Sequence, residues 1–225
     1  MHKTLFFILL LGVFSQPILS QSHFLKSVQN WDGQMVQRLN NRTIPENSWI
    51  APYTNSVIYL TAASPFCYAA IPLFEKEKYK NRKWAYEVGA GVTGIVLNNF
   101  LTYHMKKSVG RSRPFDQYPD QIFPAYRPTD KSFPSGHTSG AFQWATSVVM
   151  YSRFHYGKSP VWLVVPVYAY ATSIAVSRMV MGVHYPTDVT AGAVLGSLSA
   201  WASWKLTSSL YHWNENKKKK LPSDR

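Results

Sequence analysis

Cysteine is almost missing: Cys67 stands alone in 225 residues, which excludes an internal disulfide framework. No Cys or His cluster has the spacing of a zinc site, so neither a metal nor a cofactor is expected. Acidic residues are scarce as well, 11 Asp and Glu against 24 Lys and Arg, and the formal net charge is +13. Such an excess points to anionic partners: nucleic acid, a membrane surface or phosphorylated substrates. The basic residues are not interleaved with aromatics as in a nucleic-acid module, and the N-terminus has the look of an export signal. No nucleic acid partner is therefore expected. Internal repeats are absent, and the one biased run is the basic "KKKK" at 217–220. The length suits one domain with a sizeable core, or a compact bundle of membrane helices.

What is present is mostly apolar and helical in pattern. Residues 1–20 have a basic start, an apolar core from Leu5 to Phe14, then Pro17 and the small Ser20, the layout of a signal peptide. Ile18 and Leu19 could extend that core into an uncleaved signal anchor. Residues 21–55 are polar and amphipathic, with "FLKSVQNWDGQMVQRL" reading as a short helix on a surface or against the core, interrupted by Pro45 and Pro52. Five apolar segments follow, at about 56–74, 88–103, 135–150, 161–176 and 189–204, each near the length that crosses a bilayer. The expected fold is all-α: a bundle of five to six mostly membrane-spanning helices over 56–205, closed by a basic tail at 206–225. Asn98, Asn99 and Gln143 lie inside those segments and the mean hydropathy is −0.18, which keeps a soluble periplasmic globule as the alternative.

Loop charge adds a direction. The basic connections 75–84 and 152–158 and the tail at 217–220 fall on one end of an up-and-down bundle, as cytoplasmic segments do. The 104–134 connection falls on the other end and is also rich in Lys and Arg, so something there must hold cations. It is long, carries Pro114, Pro119, Pro124 and Pro128, and loops of that length in compact bundles are more often functional than idle.

Three clusters reach that outer end. In "KKSVGRSRPF" Lys106 and Arg113 are separated by six residues; "FPSGHT" opens a helix; "SRMVMGVHYPTD" places Ser177 and Arg178 before His184 and Asp188. In "FPSGHT" a Pro followed by small residues marks a helix N-terminus, where Ser135 can cap free amides and those amides attract an anion. Phosphoryl transfer needs what this set offers: cations and amides around the phosphate oxygens, an in-line nucleophile and an acid for the leaving oxygen. His184 is the candidate nucleophile, and Asp188, one helical turn on, could hold its other ring N–H and fix the tautomer. His137 is the candidate general acid. Lys106, Arg113 and Arg178, with amides at Ser135, Gly136 and His137, would bind the phosphate. Taken singly these residues have plainer readings: Lys106 and Arg113 as interface cations, Arg178 and Asp188 as a structural ion pair, Asp188 as an N-cap. Joint occurrence on one side favours the site. Lys107, Arg111, Arg127 and Lys131 take no assigned role.

On these residues the chain resembles the type 2 phosphatidic acid phosphatase (PAP2) superfamily, whose signature K-x6-RP, PSGH, SR-x5-H-x3-D is met at every position. The resemblance implies a helical bundle and a metal-independent phosphomonoesterase working through a phosphohistidine. In it the residue matching His184 attacks, that matching Asp188 supports it, and that matching His137 protonates the leaving group. Lys106, Arg113, Ser135, Gly136 and Arg178 match its phosphate cradle. Vanadium haloperoxidases share the signature but are generally much longer chains. Among family members the near-spanning segments favour the bacterial membrane enzymes that act on lipids, with lipid A at its 1- or 4'-position as the leading substrate. Phosphatidylglycerophosphate and undecaprenyl diphosphate are alternatives, as is a soluble non-specific acid phosphatase. A non-catalytic protein binding anionic lipid is the reading of another class. The expected setting is the bacterial inner membrane, multi-pass, with the site facing the periplasm and no obligate protein partner.

Overall fold

A computed structural model describes residues 18–40, 48–74 and 83–220, and among them no strand occurs. Six long helices and one single turn follow each other: α1 (Ile18–Leu39), α2 (Ile50–Phe74), α3 (Lys83–Val109), the short α4 (Pro114–Gln117), α5 (Gly136–Tyr156), α6 (Val161–Val180) and α7 (Pro186–Lys220). The five apolar segments are α2, α3, α5, α6 and α7, each running past the apolar stretch that marks it. Helices α2 and α6 continue through Pro65, Pro72 and Pro166. The expected leader, up to residue 17, lies outside the described residues. So do Pro45, residues 75–82 of the first basic connection and the last five residues of the tail. The lysines at 217–220 belong to the last turn of α7.

Helix α5 is the hub, packed against α7, α6, α2 and α3, while α7 also packs along α3. Two glycines of α7 set the closest of these contacts. A Cβ on Gly192 would stand 2.6 Å from the Ser135 carbonyl oxygen, and one on Gly196 would collide with the Ser139 carbonyl. With small residues four apart, α7 can press its first turns backbone to backbone on the first turns of α5. That contact brings 184–188 beside 135–138.

The bundle mixes buried polar groups with its apolar core and turns large apolar side chains outward. The buried Ser139 hydroxyl donates to Asn98 Oδ1 and pairs with Thr102 at 3.2 Å, and the Trp204 indole N–H donates to Ser147 Oγ at 2.8 Å. Facing outward are Tyr59, Phe66, Val96, Phe100, Trp162 and Leu198, all exposed. Hydrocarbon would leave such apolar groups outside at no loss while demanding that polar groups satisfy one another internally. Among the described residues one helix, α6, is long and apolar enough to cross a membrane by length and composition. Polar residues facing inward, such as Gln143 and Ser147 of α5, are buried and keep the hydropathy of the other helices down.

At the outer end, α1 crosses toward the irregular segment 110–135. Val36 joins Phe115, Ile122, Met181, Val183 and Tyr185 in a separate small core there. Asn40, at the end of α1, donates Nδ2 to the carbonyls of Phe123 (2.9 Å) and Val180 (2.7 Å) and accepts from the Phe123 amide (2.7 Å). The turn from α6 into α7 passes through Gly182 at φ +69°, a left-handed conformation that a side chain disfavours. There a Cβ would also meet Ile122 at 2.8 Å.

Candidate active site

The start of α5 is built as its sequence suggests, with two differences. Ser135 is the N-cap, its hydroxyl oxygen accepting from Thr138 Oγ1 at 2.9 Å and more loosely from the Thr138 amide at 3.4 Å. Pro134 stands just outside the helix rather than in its first turn. The Ser135 amide is not free for a ligand, because it donates to the Asp188 carbonyl at 3.0 Å. Gly136 and His137 begin the helix, where amides have no intrahelical acceptor. His137 Nε2 lies 2.9 Å from Asn55 Oδ1 of α2, an acceptor, so Nε2 carries a proton.

His184 is buried in the turn before α7, with Nδ1 3.5 Å from Asp188 Oδ2. That is an ion-pair approach, wider than a hydrogen bond. Its other nitrogen, Nε2, lies 3.4 Å from an Arg113 amino group. A guanidinium only donates, so Nε2 is the lone-pair nitrogen and the proton faces Asp188. Burial, helped by Arg178 and Arg113 and opposed by Asp188, pushes the imidazole down to about 4. At neutral pH the ring is uncharged. Asp188 is fully buried and heavily used: Oδ2 accepts from the Tyr185 amide at 2.9 Å and from the Ser132 hydroxyl, and Oδ1 from Arg111 at 2.7 Å. The Tyr185 bond makes it a capping group of α7 too, from the third helical position and not as the N-cap that the sequence suggests. The Arg178–Asp188 ion pair does not form; Arg111 takes that place.

The cations converge unequally. Arg113 is buried and donates to the Val183 carbonyl (2.7 Å), the Asp130 carbonyl (2.8 Å) and the Asp130 carboxylate. Lys106 Nζ is 3.0 Å from the other Asp130 oxygen and also donates to the Lys131 carbonyl. A single carboxylate thus spans both cations. Burial works against its charge, yet the bonds and charge from Lys106 and Arg113 hold it below the usual carboxylate range. Arg178, 1% exposed, donates to Tyr126 Oη, to Thr54 Oγ1 (3.4 Å) and to the Met181 sulfur (3.6 Å). Its Nε has no hydrogen-bond partner, and among the described residues no carboxylate lies within ion-pair distance. The positive charges of Arg178, Lys106 and Arg113 all reach His137. A buried guanidinium without an acid is costly unless an anion arrives.

The model of the PAP2 superfamily matches residues 87–211, more than half of the chain. The chain belongs to the PAP2 superfamily. This PAP2 chain is an enzyme, a phosphoric monoester hydrolase. It is 31% identical over 157 residues to a bacitracin transport permease protein, BcrC, of Bacillus licheniformis, a match covering 68% of this chain and 73% of that one. To a lipid A 1-phosphatase of Rhizobium etli it is 32% identical over 126 residues, 53% of this chain and 48% of the relative. The chain thus spans about half the length of that phosphatase. The crystal structure of LpxE from Aquifex aeolicus superposes with a TM-score of 0.54 at 24% identity, over 76% of this chain and 93% of that one, a likeness of fold. Among the described residues no group of three or more His, Cys, Asp and Glu side chains converges on a point that could hold a metal ion.

The PAP2 signature residues Lys106, Arg113, Ser135, Gly136, His137, Arg178, His184 and Asp188 therefore share one end of the bundle. Several neighbours carried no sequence signal: Asn55 on His137, Tyr126 on Arg178, Asp130 on Lys106 and Arg113, Ser132 on Asp188, and Asp32 on Arg111. Arg111, unassigned from sequence, touches Asp188 directly. Its one visible cue was the scarcity of acids, which makes each buried carboxylate near a cation worth tracing.

Proposed function

We propose that this PAP2 enzyme removes a phosphomonoester group from a lipid of the bacterial envelope through a phosphohistidine on His184, with lipid A at its 1- or 4'-position as the best-fitting substrate. The observation that carries the phosphate assignment is Arg178, buried, charged and without an acidic partner among the described residues, beside Arg113 and His184. Arg113, Arg178 and Lys106 take the phosphate oxygens, with the Gly136 and His137 amides. His184 Nε2 attacks phosphorus; the N–P bond forms as the P–O bond to the lipid breaks, and His137, a cation once the phosphate's negative charge lies beside it, gives its Nε2 proton to the departing oxygen and is left neutral. Water then attacks the phosphohistidine, His137 takes its proton back, and inorganic phosphate leaves. Asp188 orients His184 and steadies the positive charge on the phosphorylated ring.

Support for a lipid comes from the outward apolar surface and from relatives such as the lipid A 1-phosphatase. In this reading residues 1–20 are a signal peptide or anchor, 21–55 an N-terminal region, 56–205 the phosphatase bundle and 206–225 a basic tail. The enzyme sits in the inner membrane with its site toward the periplasm, where the first basic connection and the tail stay cytoplasmic. The test is phosphate release by the detergent-purified protein and by His184→Ala, with chelator present. Lipid A, phosphatidylglycerophosphate, undecaprenyl diphosphate and p-nitrophenyl phosphate are offered in parallel. Chelator-resistant release, fastest on lipid A and lower by at least about 10³ in the variant, is expected. Equal release from both proteins would overturn the role of His184, and preference for another lipid would replace lipid A.

A further inference from the structure

Helix α1 lies wholly before the family-matched segment 87–211, yet it delivers a charge to the back of the site. Asp32 is completely buried on the face of α1 that meets the start of α7. Its neighbour Gly33 leaves room for that approach, since a Cβ there would fall 2.6 Å from the Tyr118 hydroxyl oxygen. The Asp32 carboxylate accepts three hydrogen bonds: from the Thr187 amide (3.1 Å), from the Thr187 hydroxyl and from Arg111 (2.6 Å). Arg111 uses its other amino group for Asp188 Oδ1 (2.7 Å) and Thr187 Oγ1 (2.6 Å), while its guanidinium lies over the Tyr185 ring at 3.9 Å. The result is a line of contacts, hydrogen-bonded from Asp32 through Arg111 to Asp188, whose Oδ2 then stands 3.5 Å from His184 Nδ1.

The charges in that line explain why two acids are used. A guanidinium bound only to Asp188 would draw off much of the negative field that Asp188 offers to the His184 ring. Shared with Asp32, the same guanidinium clamps Asp188 in place while leaving the group of three with a net charge of −1. The planar fork suits this bridging, as one nitrogen serves each acid. A lone ammonium has no such pair of directions.

We propose that Asp32 and Arg111 are positioning residues of the reaction, acting on His184 through Asp188, so that α1 is a working part of the site. This rests on His184 being the nucleophile. Neither residue touches the phosphate, so their loss lowers turnover without weakening substrate binding, and because they act in series their losses do not multiply.

The experiment uses the full chain in detergent with p-nitrophenyl phosphate, comparing wild type, His184→Ala, Asp32→Asn, Arg111→Lys, the Asp32→Asn/Arg111→Lys double variant and Thr187→Val. Each is normalised to folded protein by gel filtration. Asp32→Asn and Arg111→Lys are each expected to lower kcat about tenfold, as partners behind a first layer of groups do, with KM within about twofold. The double variant falls no further than the worse single one. Thr187→Val removes the hydroxyl shared by Asp32 and Arg111 with little change of shape. It lowers kcat severalfold at constant KM, which keeps the question answerable if Asp32→Asn fails to fold. A kcat for Asp32→Asn, or in its absence Thr187→Val, within twofold of wild type overturns the inference. A rise in KM alone, or a hundredfold loss in the double variant, does so too. If wild type releases no phosphate, or His184→Ala still does, the phosphohistidine reading underneath has failed. A dead His184→Ala beside unchanged Asp32→Asn and Thr187→Val defeats this inference alone.

Discussion

The two ends of the bundle bury ionisable side chains in opposite ways. At the inner end Glu87 of α3 meets His155 of α5 at 2.6 Å, both buried, and Lys83 donates to the Phe154 (2.7 Å) and His155 (3.3 Å) carbonyls. Around them Tyr68, Tyr151 and Trp204 pack ring against ring, the two tyrosines stacked at 4.5 Å. Glu87, His155 and Lys83 are each answered by a neighbour. At the outer end Arg178 has no acid among the described residues, Lys106 and Arg113 share one loop carboxylate, and His184 keeps a lone pair toward Arg113. The first arrangement holds helices together, whereas the second is incomplete until an anion enters. Buried charge thus marks function where it is left unbalanced.

The largest effect is expected from Arg178→Met, which keeps much of the volume and removes the charge. Activity should fall by about 10³, the loss typical of removing one donor to a transition-state oxyanion. Stability should hold or rise, since replacing an uncompensated buried charge by an apolar group relieves its desolvation. Thermal unfolding and phosphate release on the same preparation check both. A variant that loses stability together with activity would show Arg178 to be a structural group and would erase the contrast between the ends.

At the inner end the expected pattern is the reverse. Glu87→Gln should lower stability by about 1 to 3 kcal/mol, the cost of weakening a buried charged hydrogen bond, with turnover per folded molecule unchanged. Denaturation in detergent and kcat on the folded fraction are the readouts. A fall in kcat without loss of stability would mean that the two ends are coupled.

A middle-sized effect is expected at Asp130, the acid that, among the described residues, pairs with both Lys106 and Arg113. Its carboxylate spans Lys106 and Arg113 where the phosphate oxygens must bind. Asp130→Asn should therefore tighten inhibition by inorganic phosphate or orthovanadate about tenfold, roughly 1.4 kcal/mol. Weaker inhibition would show that Asp130 positions the cations instead of competing for them.

How much of this was legible in the sequence follows from the distance over which each feature is decided. The helices announce themselves through continuous apolar stretches, and the cap at Ser135 through four adjacent residues, all local signals. The grouping of Lys106, Arg113, His137, Arg178 and His184 followed from counting segments, because an up-and-down bundle fixes which connections share an end. The partners behind them did not. Arg111 reaches Asp32 across 79 positions and His137 reaches Asn55 across 82, in contacts set by how α1 and α2 seat. A lone Asp on an amphipathic helix looks like any solvated charge until packing buries it. The outward apolar face was hidden for a related reason: the inward polar residues of α3 and α5 lower the average that a hydropathy window sees.

The smallest effect expected is on pH-dependent stability, and it belongs to His184, the proposed nucleophile. An exposed histidine titrates near 6.5, whereas burial beside Arg178 and Arg113 brings His184 down to about 4. Between those values the unfolded chain binds a proton that the folded one refuses, so stability rises with pH across the window. The contribution is fully present above about 6.5 and is lost as pH falls through about 4. Melting temperature should drop as pH is lowered from 6.5 to 4, and His184→Gln, which cannot titrate, should flatten that part of the slope. A slope unchanged by His184→Gln would mean that the folded protein admits the proton, and that the unbalanced charge of the outer end is carried by Arg178 and Arg113 without the help of a neutral imidazole.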